Sequence, residues 1–229
     1  MKRSIRFPYF FILFALLAFG TACTTVSIDE NDPEALYQDA EEEIQSDHYL
    51  IAIEKLKNIK NRFPYSKYSL DAHLRVADIY FLQELFDEAA ATYESFRDLH
   101  PKHPKSAYAL FRIAKSYFNS VPSPIDRDLS TAERSLEVYQ AFLRSYPTAP
   151  EATEARQDIA KLIDLLSKKE LLIADFYLKR KIYPSAKNRY KKIIELYSDT
   201  EAAKAAKDKL EMISSFEAKT EETQNNGSK

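Results

Sequence analysis

Thirteen residues, AIEKLKNIKNRFP at 52–64, recur in outline as AAATYESFRDLHP at 89–101, SLEVYQAFLRSYP at 135–147 and AKNRYKKIIELYS at 186–198. Each copy opens on a small residue: Ala52, Ala89, Ser135 or Ala186. A large one follows four places on: Leu56, Tyr93, Tyr139 or Tyr190. Each closes on Phe63-Pro64, His100-Pro101, Tyr146-Pro147 or Tyr197-Ser198. Counting back 24 from Pro64, Pro101 and Ser198 reaches Ala40, Ala77 and Ala174, each followed three residues later by Glu43, Tyr80 or Tyr177. Ile51, Leu56 and Ile59, then Phe86, Ala89, Tyr93 and Phe96, follow the spacing of one helix face with charges between them. The pattern is that of paired helices, small residues letting them approach and proline ending the second.

The first two units are 37 residues apart, near the 34 of tetratricopeptide repeats. A lone helix pair cannot bury its apolar face, so the pairs are expected to stack into an all-α solenoid of about five repeats. Asp32-Pro33 offers a helix start, and Ser130 with Glu133 and Ser198 with Glu201 have capping-box spacing. The third unit carries nine extra residues around Val121-Pro122-Ser123-Pro124-Ile125-Asp126-Arg127-Asp128, a loop inside the pair. Glu151 to Lys181 contains neither Pro nor Gly. It is expected to be one helix of roughly 30 residues, about 45 Å long, in which two repeat registers overlap. A last helix near Thr200 to Phe216 closes the array, and the polar segment 219–229 is expected to be disordered. The solenoid thus spans 33–218, with N-terminal repeats to about 147 and C-terminal ones from about 148.

The chain has two glycines, Gly20 and Gly227, so residues 23–226 hold none. Phosphate-cradling loops, dinucleotide fingerprints and nucleophile elbows need glycine and are excluded. Four histidines with no cysteine beside them and no His-Glu-x-x-His pattern give no metal site. No local catalytic constellation is recognisable, and nothing calls for a cofactor; the chain reads as a non-enzyme.

Lys2, Arg3 and Arg6 precede an apolar run from Phe7 to Gly20, and Thr21-Ala22-Cys23 follows with the only cysteine. This is an export signal over 1–22, too short to span a membrane, which needs roughly 20 apolar residues. Gly20-Thr21-Ala22-Cys23 resembles a bacterial lipobox with Gly20 in place of the usual Leu, so Cys23 is the expected lipidation site and 23–32 the tether. The competing reading is a soluble exported protein with a free thiol. Thr24, where enteric lipoproteins retained in the inner membrane carry Asp, points to the outer membrane. Removing the signal leaves 30 basic against 35 acidic residues, a balance that argues against nucleic acid.

Taken together, Arg62-Phe63-Pro64-Tyr65-Ser66, His100-Pro101-Lys102-His103-Pro104, Asp126-Arg127-Asp128, Ser145-Tyr146-Pro147 and Ala174-Asp175-Phe176-Tyr177 resemble the BamD family over nearly all of residues 20 to 215. BamD proteins are tetratricopeptide lipoproteins of the outer-membrane β-barrel assembly machine. The resemblance implies a non-catalytic scaffold at the periplasmic face of the outer membrane. It would bind the POTRA region of a BamA-like subunit through its C-terminal repeats, unfolded outer-membrane β-barrel proteins through its N-terminal ones, and other lipoproteins of the machine. The alternative is another periplasmic repeat adaptor, serving envelope division or peptidoglycan coordination.

Two groups of residues are candidates for these contacts. Tyr37, Tyr65, Tyr68, Phe81 and Phe86 fall in the first two units, where an aromatic substrate segment could insert. Tyr65 and Tyr68 are the ones expected at the surface, and core packing is the competing reading for each. Residues 179–192 hold seven basic residues and no acid, while 29–47 hold nine acids and no Lys or Arg. Lys179, Arg180, Lys187, Arg189 and Lys191, with Arg127 and Asp128 of the inserted loop, are the candidate partner contacts. Solvated helix faces, or a local cap in the loop, are the alternatives.

Overall fold

The computed structural model describes residues 29–226, with side chains through Lys219. Gly20 and Cys23, the export signal and most of the expected tether lie outside the described residues. The helices are α1 (Pro33–Gln45), α2 (Tyr49–Arg62), α3 (Lys67–Leu82), α4 (Phe86–Leu99), α5 (Ser106–Asn119), α6 (Ser130–Ser145), α7 (Ala152–Lys179), α8 (Tyr183–Leu196) and α9 (Glu201–Asn226). No strand occurs among the described residues.

Consecutive helices pack on one another, and α1 also touches α3, α5 touches α7 and α7 touches α9. First helices of successive pairs therefore meet while second helices fan apart, which puts the first helices on the inner face of the curve. The small residues permit this closeness: Ala52, Ala89, Ser135 and Ala186 are all fully buried, as are Ala40, Ala77 and Ala174. The core is a series of clusters, each joining one pair to the first helix of the next. Within α7, Ala155, Leu162 and Leu166 belong to the cluster of α5 and α6, whereas Ala174 belongs to that of α8 and α9. One 28-residue helix, about 42 Å long, thus serves two repeats, as the overlapping registers anticipate.

In three pairs the tyrosine at the centre of the second helix is buried down to its hydroxyl, which donates to a carboxylate. Tyr93 bonds Asp78, Tyr139 bonds Asp158 at 2.9 Å, and Tyr190 bonds Asp175 at 2.6 Å. Burial, with these carboxylates beside the hydroxyls, holds all three phenols well above their usual range, so they remain donors. Asp158 is 1% exposed and also takes Lys115 at 2.6 Å and Lys161 at 2.9 Å. Burial pushes its carboxyl up, but those bonds outweigh burial and hold it below the ordinary value.

Several ends differ from the sequence reading. Asp32 caps α1 as expected, accepting from the Glu34 amide at 2.9 Å. The Ser130 capping box does not form: Ser130 lies inside α6, and the Asp128 carboxylate accepts from its amide (3.1 Å) and hydroxyl (2.9 Å). At α9 the cap is Thr200, two residues past Ser198, with its Oγ1 3.1 Å from the Ala203 amide. That helix continues through Asn226, past Phe216 and into the segment expected to be disordered, a correction to the tail. Residues 217–226 contain no Pro or Gly to stop it, and the Glu217 carboxylate is held by Lys187 at 2.9 Å.

The larger surprise is how the pairs turn without glycine. Asp47, Glu84 and Lys181 take φ of 59°, 60° and 60°, the left-handed region where glycine is usual. Each ends its helix with the same two bonds. His48, Leu85 and Ile182 donate their amides to the carbonyls of Glu43, Tyr80 and Tyr177, and the left-handed residue donates to Ile44, Phe81 or Leu178. The recurrent Glu43, Tyr80 and Tyr177 are thus the acceptors that close these turns. A side chain in this conformation costs roughly 1–2 kcal/mol, part of which glycine returns through its own larger unfolded-state entropy. Lys181→Gly is therefore expected to stabilise by about 0.5 kcal/mol, and Lys181→Val to destabilise by more than about 1 kcal/mol. Urea unfolding measures both, and equal midpoints would reject the strain.

Candidate functional site

A groove runs across the first helices of the first three pairs. On α3 the residues Asp71, Leu74, Arg75 and Asp78 recur at the spacing of one helix face, beside the buried Ala72, Val76 and Ile79. Tyr37 of α1, with Lys105 and Tyr108 at the start of α5, completes a cavity of about 390 Å³. Its walls are tied by charge. Arg75 grips Glu41 with two bonds of 2.7 Å and lies 3.8 Å from Asp78. Lys105 pairs with Asp71 at 2.6 Å, and Tyr108 donates to Asp78 at 2.7 Å. Burial opposes charge on Arg75, but the Glu41 bonds prevail and its pKa is raised. The Tyr108 phenol is pushed up to about 12 by burial and Asp78.

Asp78 links the groove to the core, because it accepts from Tyr93 as well as Tyr108. Behind it the Arg112 guanidinium sits 3.7 Å from the Phe81 ring centre and donates to the Tyr93 hydroxyl at 3.1 Å. Glu41, Asp71 and Asp78 balance Arg75, Lys105 and Arg112, so this region carries paired charges and aromatic rings with no net sign. Such a surface suits an extended, largely uncharged polypeptide better than a charged ligand. Among the described residues no group of three or more His, Cys, Asp and Glu is placed to hold a metal ion.

The aromatic candidates do not form one cluster. Tyr37 lines the groove and its ring lies 5.6 Å from that of Tyr68, both half-buried. Phe81 meets Phe86 edge-on at 5.2 Å, beneath Arg112. Tyr65 stands apart, 102% exposed in the turn after α2. Sequence reading missed Asp71, Arg75, Asp78, Lys105, Tyr108 and Arg112. For Asp71, Arg75 and Asp78 the available signal was the mixed-charge face of α3, about a third of a turn from its apolar one.

The basic stretch is divided likewise. Arg189 and Lys192 hold Glu170 at 2.8 and 3.0 Å, and Lys187 holds Glu217. Lys179, Arg180 and Lys191 are exposed, Arg180 lying 5.0 Å from the centre of the Phe176 ring. In the inserted loop Arg127 is exposed, its carbonyl accepting from Lys169, while Asp128 is occupied in starting α6.

His73 is a buried polar residue that the sequence did not single out. Its ring packs edge-on against Phe96 at 5.7 Å, and the rings of His100 and His103 each lie 5.3 Å from the same phenylalanine. Burial, then Lys60 and His100, push the His73 imidazole down to about 4 from 6.5. Between those values the unfolded chain binds a proton that the folded chain refuses, so folding stability falls as pH drops from 6.5 towards 4. His100 is lowered too and adds in the same direction. Urea midpoints at pH 7.5, 6 and 5 should decline for the native chain and decline less for His73→Leu; parallel declines would assign the slope elsewhere.

The fold defines a tetratricopeptide-type helical solenoid with a groove across the first helices of its first three pairs. Residues 29–228 match the family model YfiO, described as outer membrane lipoprotein. The chain belongs to this family, which is the BamD family recognised in the sequence. It is similar to the outer membrane protein assembly factor BamD of Neisseria gonorrhoeae, 32% identical, covering 79% of this chain and 72% of that one. It is also similar to the BamD of Vibrio cholerae, 29% identical with 82% of each chain covered. Among solved structures it resembles MamA 41-end from Desulfovibrio magneticus RS-1, with 16% identity, 73% and 76% coverage and a TM-score of 0.40. A Podosopora anserina putative kinesin light chain with TPR-like repeats gives 15% identity, 83% and 98% coverage and a TM-score of 0.44.

Proposed function

We propose that this protein is a non-catalytic outer-membrane protein assembly factor, anchored by lipid on Cys23 to the periplasmic face of the outer membrane. The observation that carries the reading is membership of the BamD family over 29–228, whose relatives bear that name. No helix among the described residues is long and apolar enough to cross a membrane, so an anchored reading rests on Cys23. The groove of Tyr37, Arg75, Asp78 and Tyr108 receives extended segments of unfolded barrel proteins, with Tyr68 flanking Tyr37 and Tyr65 at the approach. Phe81 and Phe86 back this wall instead of meeting substrate directly.

The far end docks the POTRA region of a BamA-like partner. Of the candidate contacts there, Lys179, Arg180 and Lys191 are the available cations, because Lys187 and Arg189 already hold Glu217 and Glu170. Arg127 of the inserted loop lies towards other lipoproteins of the machine. Long α7 separates the two functions, so substrate and partner can be held at once.

Photo-crosslinkers at Tyr37 and Tyr108 should trap nascent barrel chains, whereas one at Leu99, exposed on α4, should not. Reversing Lys179, Arg180 and Lys191 together to Glu should weaken POTRA capture about tenfold or more without altering the crosslinks. Crosslinking at Leu99 equal to that at Tyr37, or unchanged POTRA capture, would overturn the respective assignment.

A further inference from the structure

A second cavity, of about 170 Å³, opens on the other side of α3, between α2 and α4. Leu56 of α2 with Ala72 and Val76 of α3 provide apolar lining, while Lys57 and Lys60 of α2 and His73 of α3 provide polar groups. It shares no lining residue with the groove: Ala72, His73 and Val76 project away from Asp71, Leu74, Arg75 and Asp78.

His73 is 6% exposed, and neither ring nitrogen has a hydrogen-bond partner among the described residues. Arg97 Nε is the one fully buried side-chain nitrogen or oxygen without a partner among the described residues, so the unpartnered polar edge of the His73 ring is open to solvent. Lys57 and Lys60 have no acidic partner within ion-pair distance among the described residues, whereas nearby Lys55 and Lys105 do. No carboxylate lines the cavity. Donors therefore converge on a space that offers them no anion.

We propose that this cavity binds a carboxylate carried on an apolar stem. The two lysines and the His73 N–H address the carboxylate oxygens, and Leu56, Ala72 and Val76 cover the methylenes of the stem. A phosphate is disfavoured by the walls. They are helix interiors whose backbone N–H groups are already spent, so they lack the free amides with which helix starts and nests surround a tetrahedral anion. The Thr92 hydroxyl adds no donor, being committed to the Glu88 carbonyl at 2.7 Å. A free short-chain acid and the side chain of an acidic residue in a partner polypeptide present the same chemistry.

Histidine-detected NMR on the full chain tests the assignment, with hexanoate as the free-acid probe and an end-blocked peptide containing one central Glu as the protein probe. Saturable movement of the His73 ring signals by hexanoate alone identifies a free acid, and movement by the peptide identifies a side chain; either supports the site. Lys57→Gln and Lys60→Gln, both at exposed positions that should leave the fold intact, are each expected to weaken the effective probe several-fold, and about tenfold together. His73→Gln should abolish the rest. If neither probe moves the His73 signals, if hexanol or hexylamine binds as well as hexanoate, or if the double lysine variant binds like the native chain, the proposal is wrong.

Discussion

A tyrosine hydroxyl carried into the middle of a helix pair has to find an acceptor there, and in this solenoid the acceptor is a carboxylate. Tyr93, Tyr139 and Tyr190 fill the space left by the small residues of the partner helix, which gives each pair its tight packing. Their ring area supplies apolar burial, and their hydroxyls require Asp78, Asp158 and Asp175 in fixed positions. The carboxylates in turn collect cations: Asp78 has Arg75 of its own helix, Asp158 has Lys115 of α5 and Lys161 of its own helix, and Asp175 has Lys209 of α9. Tyr93 and Tyr190 find their carboxylate within their own pair and Tyr139 finds Asp158 on α7 of the next, so the bond serves packing within two pairs and registry between the third and fourth. The first pair, with Leu56 at the corresponding place, has no such hydroxyl, and Glu41 is left to grip Arg75 of the next pair.

The same bond sets the functional surface. Asp78 faces the core on one side and the groove on the other, so the position of Tyr108 and Arg75 in the channel is inherited from Tyr93 behind them. At the opposite end, Asp175 lies one residue beyond Ala174 in the long helix and ties α7 to Tyr190 of α8 and Lys209 of α9. The proposed role calls for two surfaces held at a constant separation, and an uninterrupted α7 lies between the groove and the far end.

Much of this was legible in the sequence because it is local or periodic. Ala52, Ala89 and Ala186, the residues four places on, and the closing prolines gave the pairs; the absence of Pro and Gly from 151 to 181 gave the long helix. What escaped depends on distance or on strain. Lys187 finds Glu217 and Arg189 finds Glu170 only after folding, so a run of positive charge looked more available than it is. The missing glycines suggested that proline makes the corners, yet Asp47, Glu84 and Lys181 make the turns within the pairs by accepting a left-handed backbone. Ser130 and Ser198 had the right spacing to cap, but Asp128 and Thr200 stand where the chain enters each helix. Asp71, Arg75 and Asp78 were not singled out because nothing in one helix reveals the cations and phenols brought up by its neighbours.

The central claim is that the buried tyrosine–carboxylate bond frames the groove, and comparing two hydroxyl deletions tests it. Tyr93→Phe and Tyr190→Phe each remove one such bond, at an expected cost of about 1–2 kcal/mol, but only Tyr93 stands behind the groove. The measurement is the affinity of each variant for an unfolded outer-membrane barrel segment. The account predicts several-fold weaker binding for Tyr93→Phe and native affinity for Tyr190→Phe; equal affinities for the two would contradict it.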